Sequence, residues 1–190
     1  MLAPKFWYPE NNEISFSSLA LVPFGHIYSL LSKLRMSKAV KKQFDIPIVC
    51  IGDLNAGGTG KTPTTISAAQ FLRDRKYNVH IVSRGYGGNA MGPLSVNDKE
   101  HSADEVGDEA LMLSAFAPTW VATKRSDGIQ SAIKEGAEIV LLDDGFQDPS
   151  VYKDLSILTV NAKKGFGNNR CIPAGPLRDC LLYTSPSPRD

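Results

Sequence analysis

Residues 46–62 constrain the possible fold of this chain more than any other stretch. An apolar run rich in β-branched residues, 46–52, precedes a loop that contains three glycines. Lys61 and Thr62 follow the loop and begin a helical segment, in whose first turn Pro63 removes no needed hydrogen bond. This order predicts a strand, a phosphate-binding loop and a helix, because glycines let backbone N–H groups approach phosphate oxygens and a helix start adds unpaired N–H groups.

The loop and the helix start together form the expected nucleotide site. The predicted ATP-binding residues are Asn55, Ala56, Gly57, Gly58, Thr59, Gly60, Lys61 and Thr62. In such a loop the lysine reaches the outer phosphates and the hydroxyl residue holds Mg²⁺. The strict motif has glycine where this chain has Asn55, and we expect asparagine to replace it because asparagine tolerates left-handed backbone. The alternative is a glycine-rich turn that binds nothing.

Charge and cysteine content narrow the function. The formal net charge of +1 argues against a dedicated nucleic-acid binder, which usually carries a basic excess. Cys50, Cys171 and Cys180 form neither a CxxC pair nor a metal-type spacing, and their odd number suggests a reducing compartment. No apolar run suggests a membrane-spanning helix, and the first residues lack the basic start of a signal peptide.

An apolar helical segment lies ahead of the phosphate loop. Apolar residues recur at helical spacing over residues 15–34, and Pro23 and Gly25 are predicted to break this segment into two pieces. Five cations lie at the end of this segment or just beyond it: Lys33, Arg35, Lys38, Lys41 and Lys42. An apolar helix followed by a basic cluster is typical of an interfacial membrane anchor. A helix packed on the domain, with solvated lysines beyond it, is the alternative.

Alternating strands and helices predict a mostly parallel sheet with helices on both faces. Two further strands, 79–83 and 139–143, end in chemically suggestive residues: Arg84 follows the first, and Asp143 and Asp144 close the second. Apolar residues followed by aspartate have the Walker B form, in which the acid serves Mg²⁺. Other strands are expected at 120–123 and 156–160, and helices at 64–76, 110–116 and 127–136. The ends of the strands before Gly52, Arg84 and Asp143 are expected to converge on one crevice.

Acidic residues at 104–109 precede the predicted helix 110–116. They cap the helix and complement its dipole, or one of them is a general base held near a reacting hydroxyl; position alone favours capping. Arg84 is likewise either an anion contact or a surface arginine in a turn. Residues 123–127 resemble the guanine-binding T-K-x-D motif but are one residue too long.

Taken together, these motifs resemble the tetraacyldisaccharide 4'-kinase (lipid A 4'-kinase) family from about Leu19 to Asp179. The segments that carry the resemblance are 23–28, 52–63, 83–88, 107–109, 125–127, 143–147 and 173–178. Each segment is modest alone, but their order and spacing are specific. The family usually has histidine where this chain has Asp148, and aspartate where it has Asn161.

The resemblance implies a P-loop kinase that transfers the γ-phosphoryl of ATP to the 4'-hydroxyl of a tetraacyldisaccharide 1-phosphate. It implies ATP and Mg²⁺ as cofactors and a peripheral position on the cytoplasmic face of the inner membrane of a Gram-negative bacterium, without nucleic acid or an obligatory protein partner. By the same resemblance, Asp108 and Lys61 are catalytic, and Thr62, Asp143 and Asp144 bind the metal. Candidate substrate contacts are Arg84, Tyr86, Glu109, Gln147 and Arg178.

The expected organisation is an N-terminal leader and basic helical segment (1–44), a truncated P-loop kinase domain (45–180) and a foreign tail (181–190). The family continues into a second α/β lobe that this chain lacks. A regulatory P-loop ATPase or GTPase remains an alternative function. A non-catalytic fragment that binds only nucleotide or membrane is another.

Overall fold

The computed structural model describes residues 3–9 and 15–179, which form two compact units. One, called here the sheet unit, consists of Val40–Gly52 and Gly60–Thr159. The other, called here the helix unit, takes the described residues of Met1–Ala39, Asp53–Thr59 and Val160–Asp190. The phosphate loop therefore leaves the sheet unit after Gly52 and re-enters it at Gly60. The domain ranges expected from the sequence stay a prediction, and the expected foreign tail lies outside the described residues.

The sheet unit is built on a six-stranded sheet in the order β3-β4-β2-β5-β1-β6. Its strands are β1 (Ile48–Gly52), β2 (Val79–Ser83), β3 (Leu94–Ser95), β4 (Thr119–Val121), β5 (Ile139–Asp143) and β6 (Leu155–Leu158). Every neighbouring pair is parallel except β3 and β4. The predicted, mostly parallel sheet is therefore confirmed. The antiparallel edge strand β3 is not among the strands expected from the sequence.

Helices cover both faces of this sheet, as predicted. They are α2 (Lys61–Asp74), α3 (Ala103–Val106), α4 (Asp108–Ser114) and α5 (Arg125–Lys134). Ile129 and Ala132 of α5 pack in one core cluster with Cys50 and Leu142 of the central strands. On the opposite face, residues of α2 and α4 pack against alternate positions of β2 and β5. Because both faces of the sheet are covered, β1 and β5 are almost wholly apolar, which made them recognisable in the sequence.

The helix unit contains a 3₁₀ helix at Lys5–Trp7 and one long helix, α1 (Phe16–Lys38). The predicted break at Pro23 and Gly25 is wrong, because α1 runs through both residues. Gly25 is buried, and a Cβ there would lie 3.1 Å from the carbonyl oxygen of Cys171. Glycine at this position therefore allows the backbone at Cys171 to approach α1 closely. Among the helices of residues 3–9 and 15–179, none is long and apolar enough to cross a membrane.

The acid-rich segment forms two helices instead of one. Gly107 separates α3 from α4 because its φ of 87° lies in the left-handed region, which an α-helix cannot accommodate. Asp104 and Glu105 lie in the first turn of α3, and Asp108 and Glu109 lie in the first turn of α4. Both acid pairs therefore occupy helix N-termini, where the helix dipole favours negative charge.

Candidate phosphate-binding active site

Three neighbouring strands of the sheet unit bring the predicted site residues to one edge. β2, β5 and β1 are adjacent and parallel, so their carboxyl ends lie side by side. Gly52 ends β1, Arg84 follows β2, and Asp143 ends β5. The expected convergence of these three strand ends is therefore confirmed. Ligands of open α/β sheets bind in the crevice outside such strand ends.

The helix start supplies a lysine beside an acidic pair. Lys61 is the first residue of α2, and Gly60 before it has a φ of 89°, in the left-handed region that favours glycine. The Lys61 Nζ lies 3.8 Å from Oδ1 of Asp144. Pro63 lies in the first turn of α2, as predicted. The first N–H groups of an α-helix have no partner within the helix, so the start of α2 can bind phosphate.

Asp143 is the buried member of the acidic pair. The residue is only 2% exposed, and the Thr65 hydroxyl lies 3.1 Å from its Oδ1. Burial raises the pKa of Asp143 to about 6, against the hydrogen bond from Thr65, and repulsion from Glu109 and Asp144 adds to the increase. The proximity of Lys61 lowers the pKa by a smaller amount. A carboxylate whose charge is disfavoured in this way gains most from a nearby cation.

The oxygen donors at this edge suit Mg²⁺. Thr62, Asp143 and Asp144 offer a hydroxyl and two carboxylates, which are hard ligands of the kind that Mg²⁺ prefers. The described residues hold no group of three or more His, Cys, Asp or Glu side chains arranged for a metal. One or two carboxylates are nevertheless sufficient where phosphate oxygens and waters complete an octahedral shell. The residues present therefore fit a magnesium ion that is bound together with a nucleotide.

The glycines of the loop leave room for phosphate. A Cβ built on Gly57, Gly58 or Gly60 would meet no described atom within 4 Å. Gly57 and Gly60 also have positive φ values of 138° and 89°. Open space beside glycine backbone lets an anion approach the N–H groups closely, so the loop fits a polyphosphate.

The front of the loop is anchored within the helix unit. Asn55 is buried, its side-chain amide donates to the carbonyl oxygen of Gly165 at 2.8 Å, and it is not among the described residues with positive φ. The expectation that Asn55 replaces glycine by adopting left-handed backbone is therefore wrong; it serves as an anchor for the loop. The N–H of Ala56 donates to the carbonyl oxygen of Pro176 at 2.7 Å and so already has a protein partner.

A buried aspartate ties Arg178 to this loop. Asp53 is fully buried, and its Oδ2 accepts a 2.7 Å hydrogen bond from the Thr59 hydroxyl. Nη1 of Arg178 lies 3.5 Å from Oδ1 of the same carboxylate. Arg178, a candidate substrate contact, therefore also braces the loop. Asp53 directly follows β1, and this position could have marked it as a residue of the site, but the sequence analysis did not use it.

The glycine-rich turn after β2 packs on the start of α4. A Cβ on Gly107 would lie 2.5 Å from the carbonyl oxygen of Tyr86, so the two backbones touch. This contact places the turn that carries the exposed Arg84 and Tyr86 beside the segment that carries Asp108 and Glu109. Glu109 also lies close enough to Asp143 to raise its pKa. The candidate base Asp108 is the exposed first residue of α4, and Gln147 is half-buried in the turn after β5.

Sequence reasoning did not assign a role to three further residues around the acids. Thr65 lies one helical turn after Lys61 on α2, and its hydroxyl contacts Asp143. Its spacing of four residues from Lys61 could have indicated that the two residues share one face of the helix. Arg125 donates to the carbonyl oxygens of both acids, and Asp148 pairs with it. Asn161, the other departure from the family pattern, accepts bonds from the N–H groups of the two lysines that follow it by two and three residues, and so shapes a turn.

A glycine loop, lysine and helix after β1, together with an acidic pair at the end of the neighbouring β5, define a P-loop nucleotide-binding protein of the α/β class. The family model described as tetraacyldisaccharide-1-P 4'-kinase (LpxK) matches residues 17–185, and the chain belongs to this family. The resemblance inferred from the sequence motifs is thereby confirmed.

Individual relatives agree with this assignment. The chain is 50% identical over 179 residues to a tetraacyldisaccharide 4'-kinase of Jannaschia sp., covering 94% of this chain and 54% of the relative. It is 45% identical over 180 residues to the protein of that name from Parvibaculum lavamentivorans, covering 94% and 53%. A crystal structure of an LpxK from Aquifex aeolicus, described as in complex with ATP, is similar with a TM-score of 0.75 and 30% identity, covering 88% of this chain and 56% of that one. The chain spans about half the length of the curated relatives it matches.

Proposed function

We propose that a full-length protein carrying this sequence is an ATP-dependent kinase that phosphorylates the 4'-hydroxyl of a tetraacyldisaccharide 1-phosphate in lipid A synthesis. The observation that carries the proposal is the arrangement of Lys61, Asp143 and Asp144 at adjacent parallel strand ends in a chain of this family. That arrangement fits a nucleotide triphosphate with Mg²⁺, which is what phosphoryl transfer requires.

Several residues of the proposed nucleotide site have separate proposed tasks. The Nζ of Lys61 offsets negative charge on the outer phosphates, and the open space beside Gly58 and Gly60 admits them to the backbone N–H groups. Thr62, Asp143 and Asp144 hold Mg²⁺, which when bound neutralises phosphate charge and orients the reacting group. Phosphoryl transfer needs little covalent help from the protein, so positioning and charge neutralisation supply most of the rate.

Asp108 is the proposed general base. A carboxylate oxygen of Asp108 accepts the proton of the sugar hydroxyl as that hydroxyl attacks phosphorus. Its position in the first turn of α4, beside the turn that carries Arg84 and Tyr86, supports this role. Arg84, Tyr86, Glu109, Gln147 and Arg178 remain proposed substrate contacts. The exposed side chains of Arg84 and Tyr86 suit the phosphate and hydroxyl groups of the acceptor.

The helix α1 supports a position on the cytoplasmic face of the inner membrane. Its apolar side chains point outward: Phe16 is 84% exposed, and Phe24 and Leu31 are each 61% exposed. The residues that α1 buries, Ser18 and Gly25, are small. Exposed apolar groups followed by cations suit an anionic lipid surface, near which each cation contributes about 1 kcal/mol.

A turnover assay tests the kinase proposal. ATP consumption by a full-length protein carrying this sequence should rise strongly when a tetraacyldisaccharide 1-phosphate in detergent micelles is added, and the product should carry a second phosphate. Lysophospholipid in the same micelles is the control acceptor. ATP hydrolysis that is unaffected by the lipid acceptor would instead favour a regulatory ATPase.

Vesicle co-sedimentation tests the membrane proposal. Binding to vesicles that contain anionic phospholipid should weaken as salt rises, because salt screens the cations at the end of α1 and just beyond it. Replacing Phe24 and Leu31 together by serine should weaken it further. Binding that is absent, or that responds neither to salt nor to these substitutions, would contradict a lipid-facing α1.

A further inference from the structure

A buried arginine joins the first turn of α5 to the end of β5. Arg125 is the first residue of α5 and only 4% exposed. Its Nη2 donates to the carbonyl oxygen of Asp144 at 2.7 Å and to that of Asp143 at 3.3 Å. Both acceptors are main-chain atoms, so the guanidinium leaves the two carboxylate groups available. It fixes the backbone from which those carboxylates project.

Asp144 has a backbone conformation that needs such support. Its φ of 51° lies in the left-handed region, which is uncommon for residues other than glycine. Such a conformation persists where the surrounding structure determines it. The N–H of Asp144 donates to the carbonyl oxygen of Ile51 at 2.9 Å, while its own carbonyl accepts from Arg125. With both sides of the residue bonded, the carboxylate of Asp144 is held 3.8 Å from Nζ of Lys61.

Asp148 holds Arg125 in place. Its Oδ2 lies 3.2 Å from Nη1 of Arg125, and its Oδ1 accepts bonds from the hydroxyl and the N–H of Ser150 at 2.6 and 2.9 Å. Lys153 Nζ donates to the carbonyl oxygens of Phe146 and Asp148 at 2.9 and 2.8 Å. Arg125 therefore bonds to the backbone where the turn after the two acids begins, and Lys153 bonds to the backbone where that turn ends.

Stabilisation of the fold does not explain well why the chain buries the ion pair of Arg125 and Asp148. Burying a guanidinium and a carboxylate carries a desolvation cost that their attraction often fails to recover. Among the described residues, Nε of Arg125 is buried without a hydrogen-bond partner, which adds to that cost. A planar guanidinium whose Nη2 donates to two successive carbonyl groups, while its Nη1 pairs with Asp148, does, however, fix their relative orientation. An apolar side chain of the same size cannot do this.

We propose that Arg125 and Asp148 are positioning residues that hold Asp143 and Asp144 in the orientation that receives Mg²⁺ with ATP. This inference rests on the proposed function, because it presumes that the two acids serve the metal. It gives a role to Asp148, one of the positions where the chain departs from the family pattern. Loss of residues that orient metal ligands typically costs about 10–100-fold in metal affinity or activity.

Two conservative variants test the inference in a full-length protein carrying this sequence. Arg125→Lys keeps the charge but loses the planar fork, and Asp148→Asn keeps the shape but loses the charge. Calorimetry measures the affinity for ATP with Mg²⁺ and with EDTA, and the ratio of the two affinities is the contribution of the metal. We expect this ratio to fall about tenfold or more in Arg125→Lys and by a smaller factor in Asp148→Asn, with the affinity in EDTA unchanged.

Asp154→Asn is the matched control. Oδ2 of Asp154 accepts a 2.8 Å bond from the N–H of Ile48, at the end of β1 opposite the phosphate loop. This variant should lower the melting temperature and leave the affinity ratio unchanged. If Arg125→Lys and Asp148→Asn also lower only the melting temperature, the pair is merely structural and the inference is overturned.

The remaining outcomes also decide the matter. Should Arg125→Lys fail to fold, the affinity ratio of Asp148→Asn decides alone. A wild-type protein that binds ATP equally well with Mg²⁺ and with EDTA would overturn the proposed metal site and this inference together. A normal wild-type ratio that both variants retain would overturn only the inference.

Discussion

Replacing Asp143 with asparagine is expected to make the metal-free protein more stable at pH 8, although Asp143 lies at the centre of the proposed site. Burial raises the pKa of this carboxyl from 3.8 to about 6, and the nearby charges of Glu109 and Asp144 act in the same direction. Because the folded-state pKa exceeds the unfolded-state value, the folded protein binds the proton more tightly. Stability is therefore lost as the pH rises through about 6 and Asp143 ionises.

The structure sets the size of the effect. The difference between 3.8 and about 6 corresponds to about 3 kcal/mol, at about 1.4 kcal/mol for each pKa unit. Asparagine has the same shape and no charge, and its carbonyl oxygen can accept the hydrogen bond from Thr65, whose hydroxyl lies 3.1 Å from Oδ1 of Asp143. We expect Asp143→Asn to raise the free energy of unfolding by about 1–3 kcal/mol at pH 8 and by little near pH 4.

Thermal melting in EDTA, at pH 8 and at pH 4, measures this difference between wild type and variant. For a protein of roughly this size, each kcal/mol corresponds to about 2–4 °C, so the variant should melt several degrees higher at pH 8. Adding Mg²⁺ and ATP should reverse the order, because ligand binding stabilises only the wild type strongly. Asp154→Asn, which loses a backbone hydrogen bond away from the site, should melt lower at both pH values. An Asp143→Asn protein that melts below wild type at pH 8, or by an equal difference at both pH values, would refute the reasoning.

Three further outcomes follow from the same geometry. Lys61→Ala should weaken binding of ATP with Mg²⁺ at least tenfold in calorimetry, because phosphate charge is then uncompensated in a partly desolvated loop; unchanged affinity and turnover would contradict this. Asp108→Asn should lower kcat roughly 10²–10⁴-fold with ATP affinity little changed, whereas Asp104→Asn should not; equal kcat in both variants would leave Asp108 only the role of complementing the dipole of α4. Gly107→Ala should lower the melting temperature sharply, because φ is 87° and the new Cβ would lie 2.5 Å from Tyr86 O; a melting temperature equal to that of wild type would contradict the backbone contact.

The sheet and the core of the site were predictable because their signals are local. The strands β1 and β5 are apolar runs that end at Gly52 and Asp143, and the buried β2, which also carries His80 and Ser83, is followed by Arg84. Parallel strands present their carboxyl ends at one edge, so Lys61 and the two acids were expected to converge. The residues that support this site could not be found in the same way. Arg125 reaches β5 from the start of α5, and no spacing along the chain predicts which carbonyl groups it contacts.

Asn55 illustrates a different difficulty. Its position within a glycine-rich motif suggested a backbone role, and the structure gives it a side-chain role instead. The amide of Asn55 bonds to Gly165, which lies more than a hundred residues further along the chain in a segment without regular structure. Propensities describe what a residue tolerates locally, whereas a buried amide also needs a hydrogen-bond partner, and that partner depends on the tertiary structure.

The orientation of α1 follows from the same principle. Hydrophobic periodicity presumes that the apolar face of a helix points inward, yet α1 buries Ser18 and Gly25 and exposes its large apolar side chains. The Ser18 hydroxyl donates to the carbonyl oxygen of Ala174 at 2.7 Å, and Gly25 allows the backbone at Cys171 to approach closely. A buried hydroxyl must be hydrogen-bonded and close backbone contact needs a glycine, so these two positions decide which side of α1 meets the protein. The apolar side chains are then left for another surface, which is why their response to anionic vesicles tests the orientation of the helix as well as its proposed function.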